Sequence, residues 1–285
     1  MKLERFNKVG IILRPSTPEL KEVFHTTKLL FEKFDIEVFI DNDSANAIDV
    51  KGRPFEQLCM TCDALVTIGG DGTIISAARR SYAYHIPILA IHAGKLGFLA
   101  DLGFDELEEF IQKIIDGDYR INKRSMLEAT IKTKDNEKRV IAFNDIVLTR
   151  PSISKMIHLD VSVSEQDFNT YYGDGLVVST PTGSTAYNLS AGGPILYPLS
   201  EVFVLTPICP HSLTQRPLVL PAHFELKVKT SDARGLVIID GQDTYEFHES
   251  DCIHIKLAAA YAHLIHKKEF NYFSVLKEKL DWGDL

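Results

Sequence analysis

The stretch Leu65-Val66-Thr67-Ile68-Gly69-Gly70-Asp71-Gly72-Thr73-Ile74-Ile75 reads as a buried strand, a glycine turn and the start of a helix running from residue 74 to about 82. Three glycines in four positions strip the turn of side chains, so a ligand can come up to the backbone and the N–H groups can face an anion. The helix behind the turn adds its positive N-terminal end. Asp71 puts a carboxylate where phosphates are expected. Two uses fit it: holding a metal ion that bridges phosphate oxygens, or taking the proton from a hydroxyl that attacks a phosphoryl group. A plain strand-to-helix turn with Asp71 near an N-cap position would look the same, and a short glycine motif does not separate these readings.

The flanking pattern extends the strand-and-helix theme. Val9-Gly10-Ile11-Ile12-Leu13 is an apolar run of the kind a strand covered on both faces requires. Thr17 and Pro18 mark a helix start, with Thr17 as N-cap and Pro18 at the first helical position. Leu20, Val23, Phe24, Leu30, Phe31 and Phe34 follow at helical spacing. Residues 36–40 make the next strand, 54–61 a short helix, and 86–91 a further strand that runs into a second glycine loop at 92–99. Ligands collect outside the carboxyl ends of strands in open α/β sheets, so two such loops point to one crevice. The expected fold is an α/β, doubly wound N-terminal domain over 1–122.

Period-two alternation replaces this pattern after Arg124. It recurs at Leu159, Val161 and Val163, at Phe224, Leu226 and Val228, and at Ile253, Ile255 and Leu257, with Asp135-Asn136 as a hairpin turn. A β-rich domain of antiparallel, sandwich-like sheets with one wetted face is expected over 123–266. A closing helix over 272–282, within a tail of 267–285, is expected to pack back on the first domain.

The chain's 285 residues, 45% of them hydrophobic, suffice for two domains. Its 31 basic and 39 acidic residues argue against non-specific nucleic-acid or membrane-surface binding. No apolar run approaches the ~20 residues that span a bilayer, and the N-terminal stretch MKLERFNKVGIILRP lacks a signal-peptide core. A cytoplasmic location is expected. Cys59, Cys62, Cys209 and Cys252 are too scattered for a disulfide framework, and the single CxxC lacks a second ligand pair for zinc.

The densest chemistry of the second half lies in Gly173-Asp174-Gly175 and the following Ser179-Thr180-Pro181-Thr182-Gly183-Ser184-Thr185-Ala186-Tyr187. Five hydroxyl side chains fall within seven residues there. A turn needs one or two, so the surplus points to a polar, phosphorylated ligand. Asn144-Asp145 interrupts an apolar strand over 141–148. Burying one of the pair is costly without partners; a bound ribose or base would supply them, and a strand break would explain the pair equally.

Taken together, GGDGT at 69–73, HAGKLGFL at 92–99, Asn144-Asp145 and GDGLVVSTPTGSTAYNLSAGGPI at 173–195 closely resemble the NAD kinase family. The likeness continues through 207–213, 216–218 and Asp240-Gly241-Gln242. GGDGT is shared with diacylglycerol and sphingosine kinases; STPTGSTAY is much more specific. The resemblance implies transfer of the ATP γ-phosphoryl group to the 2′-hydroxyl of the adenosine ribose of NAD. It implies Asp71 as the catalytic carboxylate, with Gly69, Gly70, Gly72 and Thr73 shaping the phosphate pocket. It further implies NAD contacts at Asp71, Gly72, Phe98, Asn144, Asp145, Asp174, Thr182, Thr185, Ala186, Tyr187 and Ser190, with Phe98 against adenine and Asp174 near the nicotinamide end. His92 stands where the family usually has Asn, and Asp145 where Glu is commoner.

Mg2+ or another divalent cation follows from the phosphoryl chemistry and is expected to be held mainly by the ATP phosphates, with no protein ligand assigned. No GxxxxGK[ST] loop occurs, and Lys95, Arg79 and Arg80 are read as surface charges. The expected partners are ATP and NAD, without nucleic acid or membrane, in a homo-oligomer, dimer or tetramer. The alternatives are a lipid kinase of the diacylglycerol or sphingosine type, which should show a membrane-facing surface, and a sensor that binds NAD(P) without turnover.

Overall fold

Two units divide the chain, one of residues 1–123 with 262–285 and one of residues 124–261. The computed structural model describes every residue except 1, 2, 4, 95, 96, 135 and 283–285. Lys95, Asp135 of the expected hairpin turn and the last three residues of the tail therefore lie outside the described residues. No helix among the described residues is long and apolar enough to cross a membrane.

In the first unit, β1 (Lys8–Leu13), β2 (Glu37–Ile40), β3 (Ala64–Gly69) and β4 (Pro87–His92) pair in parallel in the order β2-β1-β3-β4. The chain steps outward from β1 to β2 and then returns across β1 to β3. That reversal is the doubly wound arrangement, and right-handed crossovers then send helices to both faces. β3 is buried along its whole length, Thr67 included, as a predominantly apolar strand covered on both faces must be. Leu20, Phe24 and Phe31 of the helix Leu20–Glu32 and Leu107, Phe110, Ile111 and Ile114 of the helix Leu107–Ile115 fill the same core.

Three local expectations change. Thr17 caps nothing: the first helix starts at Leu20, and the Thr17 hydroxyl donates to the carbonyls of Arg14 and Pro15 at 3.0 and 2.9 Å. The helix after the glycine turn is Asp71–Ser81, three residues earlier than expected, with Gly70 as its N-cap residue. Gly72 is a poor helix former, but a first turn has few helical bonds to lose and tolerates it. The strand Ala262–Lys267, which the expected boundary gives largely to the β-rich half, joins the first unit's sheet: His263, Leu264 and Ile265 pair in parallel with Pro87, Ile88 and Leu89. A hydropathy pattern does not name a strand's partner. The helix Tyr272–Lys279 closes this unit, with Tyr272, Val275 and Leu276 buried and the Asn271 side chain accepting the Phe273 N–H at 3.0 Å.

The second unit stacks two six-stranded antiparallel sheets. Leu127, Ala129 and Ile131 alternate with Glu128, Thr130 and Lys132, and the inward set shares a core with Leu176, Val178, Phe203 and Phe247 of the other sheet. The first sheet thus has the one wetted face that alternation predicts. The second departs from it: Gly175–Ser179 is buried throughout, because Val147, Val177 and Ile208 on its outer face are covered as well. The strand expected across 141–148 breaks at Phe143 and Asn144, where the chain leaves Glu137–Ala142 in one sheet and enters Asp145–Thr149 in the other.

Candidate active site

The glycine turn and the second glycine loop leave the carboxyl ends of neighbouring strands, with Gly69 opposite His92 in the register of β3 and β4. The Ala93 N–H donates to the Gly69 carbonyl at 3.2 Å. The Asp71 carboxylate accepts the N–H of Phe98 at 3.0 Å and that of Leu99 at 3.4 Å. A Cβ on Gly97 would sit 2.1 Å from Asp71 Oδ1, so only glycine lets the loop close on the carboxylate. A Cβ on Gly69 would sit 2.4 Å from Oγ1 of the buried Thr73.

Gly70 and Gly72 behave differently. Gly70 has φ −102°, open to any residue, and a Cβ on either glycine would meet nothing within 4 Å among the described residues. Neither backbone strain nor crowding by the described residues calls for glycine there. What the two leave is bare backbone at a helix start, where N–H groups lack helical partners and favour an anion. His92 Nδ1–H donates to the Gly94 carbonyl at 2.8 Å and so caps its own turn. Arg79 and Arg80 lie in the last turn of the helix, away from this site; Arg80 stacks over Phe55 and pairs with Asp43 at 3.7 Å.

In the second unit, the outer face of the second sheet carries an open pocket of about 450 Å³. Val147 and Ile238 give it apolar surface, and Asn144, Asp145, Ala186, Tyr187 and Asp240 give it polar groups and backbone. Asp145 is 4% exposed. Burial drives its carboxyl up to about 7, Asp240 beside it adds to the rise, and a hydrogen bond from the Tyr187 N–H opposes it.

Most hydroxyls of the Ser- and Thr-rich loop have partners within the chain. Ser179 donates to the Asn144 and Thr180 carbonyls, Thr180 to the Phe143 carbonyl at 2.8 Å, Ser184 to the Pro181 carbonyl at 2.6 Å and Thr185 to the Thr182 carbonyl at 3.4 Å. Thr180 also accepts the Gly183 N–H, and Ser184 accepts the Leu196 N–H, both at 2.9 Å. Hydroxyls close in sequence to free carbonyls satisfy them locally before any ligand arrives. Thr182 is the exception: it is buried, and its Oγ1 has no partner among the described residues.

The structure thus brings Asn144, Asp145, Ala186 and Tyr187 together. Asp174 lies beyond the other end of the strand Gly175–Ser179 from the Ser179 and Asp145 pair, roughly 17 Å along by the rise of a strand. Arg150 holds its carboxylate at 2.9 Å, and Thr149, which lines the pocket, donates its hydroxyl to the Asp174 carbonyl at 2.8 Å. Thr185 is half-buried, and Ser190 is exposed at the end of the helix Tyr187–Ser190.

Three contributors carry no assignment from the sequence. Gly97 admits Asp71. Asp240 accepts the N–H groups of Phe143 and Asn144, both at 2.7 Å, and of Asp145 at 3.0 Å. The buried Asn188 donates to the Ser184 and Pro194 carbonyls and accepts the Thr206 hydroxyl at 2.6 Å, pinning the loop beneath Tyr187 in sequence. The glycine pair before Pro194 is the signal for it, because a Cβ on Gly193 would sit 2.0 Å from Asn188 Oδ1.

Asp145 also predicts how stability depends on pH. Its folded pKa lies above the ordinary carboxylate value, so the native state binds the extra proton and the stabilisation is complete only in acid. It is lost as pH rises from the unfolded pKa through about 7. Asp145→Asn should therefore gain stability relative to wild type on going from acid to neutral pH. Urea midpoints at the two pH values measure this; parallel changes in both proteins would refute it.

Comparison with known proteins places residues 9–119 in the ATP-NAD kinase N-terminal domain family and residues 143–267 in the ATP-NAD kinase C-terminal domain family. A NAD kinase of Sulfurimonas denitrificans is 57% identical over 277 residues, 97% of this chain and 98% of that one. A NAD kinase of Wolinella succinogenes is 52% identical over 283 residues, covering 99% and 98%. Yeast NADH kinase complexed with NADH superposes with a TM-score of 0.91 at 29% identity, over 98% of this chain and 89% of that one. An Archaeoglobus fulgidus NAD kinase in complex with ATP, 24% identical with a TM-score of 0.76 over 96% and 98%, shares the fold.

Proposed function

This chain belongs to the NAD kinase family, and from that premise we infer that it transfers the γ-phosphoryl group of ATP to the 2′-hydroxyl of the adenosine ribose of NAD, giving NADP. The observation that carries the reading is the pair Gly70 and Gly72, glycines that no described residue crowds, flanking Asp71. The space they leave suits triphosphate oxygens on the helix N–H groups, and Asp71 suits the base that takes the hydroxyl proton as the phosphoryl group transfers. Gly69 and Thr73 hold the turn's shape, and Phe98 serves the adenine. Asn144 and Asp145 take the nucleoside, Thr182, Thr185, Ala186, Tyr187 and Ser190 the rest of the dinucleotide, and Asp174 its nicotinamide end. The match across both halves of the chain leaves the lipid-kinase alternative without support.

A divalent cation belongs to the same reading. Among the described residues no three His, Cys, Asp or Glu side chains converge to hold a metal, and Asp71 is the single carboxylate in the glycine turn. That donor set fits Mg2+, which binds through one or two carboxylates, water and substrate phosphates rather than a protein cage. When bound it supplies charge neutralisation on the phosphoryl group. A cytoplasmic location and a homo-oligomer complete the proposal, the assembly being checked by light scattering.

The deciding assay gives purified protein ATP, NAD and Mg2+ and measures NADP with an NADP-specific dehydrogenase. NADP formed only with all three components supports the kinase; NAD bound without NADP formed supports the sensor. Gly72→Ala adds a sharper expectation. It should stabilise the helix by about 0.5–1 kcal/mol while filling the space left for phosphate. A rise in melting temperature together with a higher KM for ATP is the expected pair, and an unchanged KM for ATP would remove Gly72 from the phosphate site.

A further inference from the structure

The break between the two sheets at Phe143 and Asn144 creates three successive backbone donors that no strand ladder can serve, because a strand directs its donors alternately to its two neighbours. Buried donors of this kind need partners. Asp240 provides them with bonds of 2.7, 2.7 and 3.0 Å, and its own N–H returns to the Asp145 carbonyl at 3.0 Å. We propose that Asp240 is a positioning residue of the nucleoside pocket: by clamping the amides of Phe143, Asn144 and Asp145, its carboxylate sets how Asn144 and Asp145 are presented to NAD. The inference rests on the NAD kinase reading and deepens it.

The chemistry of the position favours aspartate. A carboxylate has lone pairs for several donors at once, and bonds to an ionised acceptor are short and strong. Asparagine has one acceptor oxygen and would turn an NH2 group toward an amide N–H. The backbone at Asp240 has φ +50°, a left-handed conformation that Asp adopts more readily than most residues, and Gly241 follows at φ +64°. The two neighbouring carboxyls therefore have different duties. Asp240 is committed to the three amides, whereas Asp145 is buried in the pocket wall and receives the Tyr187 N–H.

That division gives a readout that a merely structural role would not move. The groups acting on Asp145 are its own burial, the Asp240 charge at the end of the strand Gly235–Ile239 and the Tyr187 N–H at the start of its helix. Neutralising Asp240 removes one of the two upward influences and leaves the other. The pH midpoint of NAD binding should then fall, provided Asp145 is the group that titrates.

The experiment is steady-state kinetics of the full chain across neutral pH, with wild type, Asp240→Asn and Asp240→Glu. Asp240→Asn should lower kcat/KM for NAD roughly 10- to 100-fold, the loss expected for hydrogen bonds to a charged acceptor. The loss should lie in KM, leave the KM for ATP unchanged and lower the pH midpoint. Asp240→Glu keeps the charge but is one methylene longer; it should raise the KM for NAD and leave the midpoint in place. A wild-type KM for NAD in Asp240→Asn, or equal rises in both KM values with an unmoved midpoint, overturns the inference. If Asp240→Asn does not fold, the Glu variant decides, and a wild-type KM for NAD there is equally fatal. Should wild type fail to phosphorylate NAD, the kinase reading falls by itself. The Asp145 carboxyl titration followed by carbon-13 NMR in wild type and variant would then still test the clamp.

Discussion

Asp71→Asn is expected to lower kcat by roughly 10²- to 10⁴-fold, the range that a positioned general base contributes, with the KM for NAD little changed. The amide keeps the shape of the side chain and cannot take a proton from the attacking hydroxyl. It also disturbs the loop it touches. The carboxylate accepts two N–H groups, from Phe98 and Leu99, and Asn meets one with oxygen and the other with NH2, an unmade bond that costs about 1–3 kcal/mol. A second variant separates chemistry from geometry. Gly97→Ala keeps the carboxylate and drives a Cβ to 2.1 Å from its Oδ1, so the group must move by about an ångström, which is worth on the order of 10²-fold in rate. Single-turnover NADP formation, with thermal unfolding beside it, measures both. Should Asp71→Asn keep more than a tenth of the wild-type kcat, Asp71 is not the base.

The parts of this site that were legible in the sequence are those in which residues close together in the chain act together. Gly69, Gly70, Asp71 and Gly72 announce a bare backbone turn because glycine so placed is costly in a helix and useful beside an anion. Long-range partners were not legible. The contact of Asp71 with the 97–99 loop spans 27 residues, and the bond of Asp240 to the Asn144 N–H spans 96; neither leaves a periodic trace. The hydroxyl loop is hard to read for another reason. Four of its five Ser and Thr side chains donate to carbonyls of the chain itself, and a count of hydroxyls does not distinguish that use from binding a ligand. The same limit explains the strand Ala262–Lys267. Its burial runs from Ala262 to His266 and suits a sheet of either unit, and only pairing with β4 assigns it. At Asn144-Asp145 the strand-break reading holds, and the same pair lines a pocket.

Gly183→Ala should be the most damaging single methyl in the second unit. A Cβ there would fall 2.1 Å from the Asn144 carbonyl oxygen, 2.5 Å from its carbonyl carbon and 2.6 Å from its Cα. Every atom it meets is backbone, so no side chain can rotate away, and overpacking of this kind costs about 1–3 kcal/mol. Relief requires the loop carrying Thr182, Ala186 and Tyr187 to lift from Asn144. That movement strains the Gly183 N–H bond to Thr180, the Thr180 N–H bond to the Asn144 carbonyl at 2.9 Å, and the Tyr187 N–H bond to Asp145. The two walls of the pocket would therefore separate even in a molecule that remains folded. The expected result is a fall of about 10²-fold in kcat/KM for NAD, the scale of a one-ångström misplacement, with a smaller change in the KM for ATP. Loss of the Asp145 proton linkage should accompany it, because parting from Tyr187 opens the carboxyl to water and lets its pKa return toward the ordinary value. Kinetics and urea unfolding at acid and neutral pH read all three effects. A folded Gly183→Ala protein with wild-type KM for NAD would mean that the close approach of the loop to Asn144 does not shape the site.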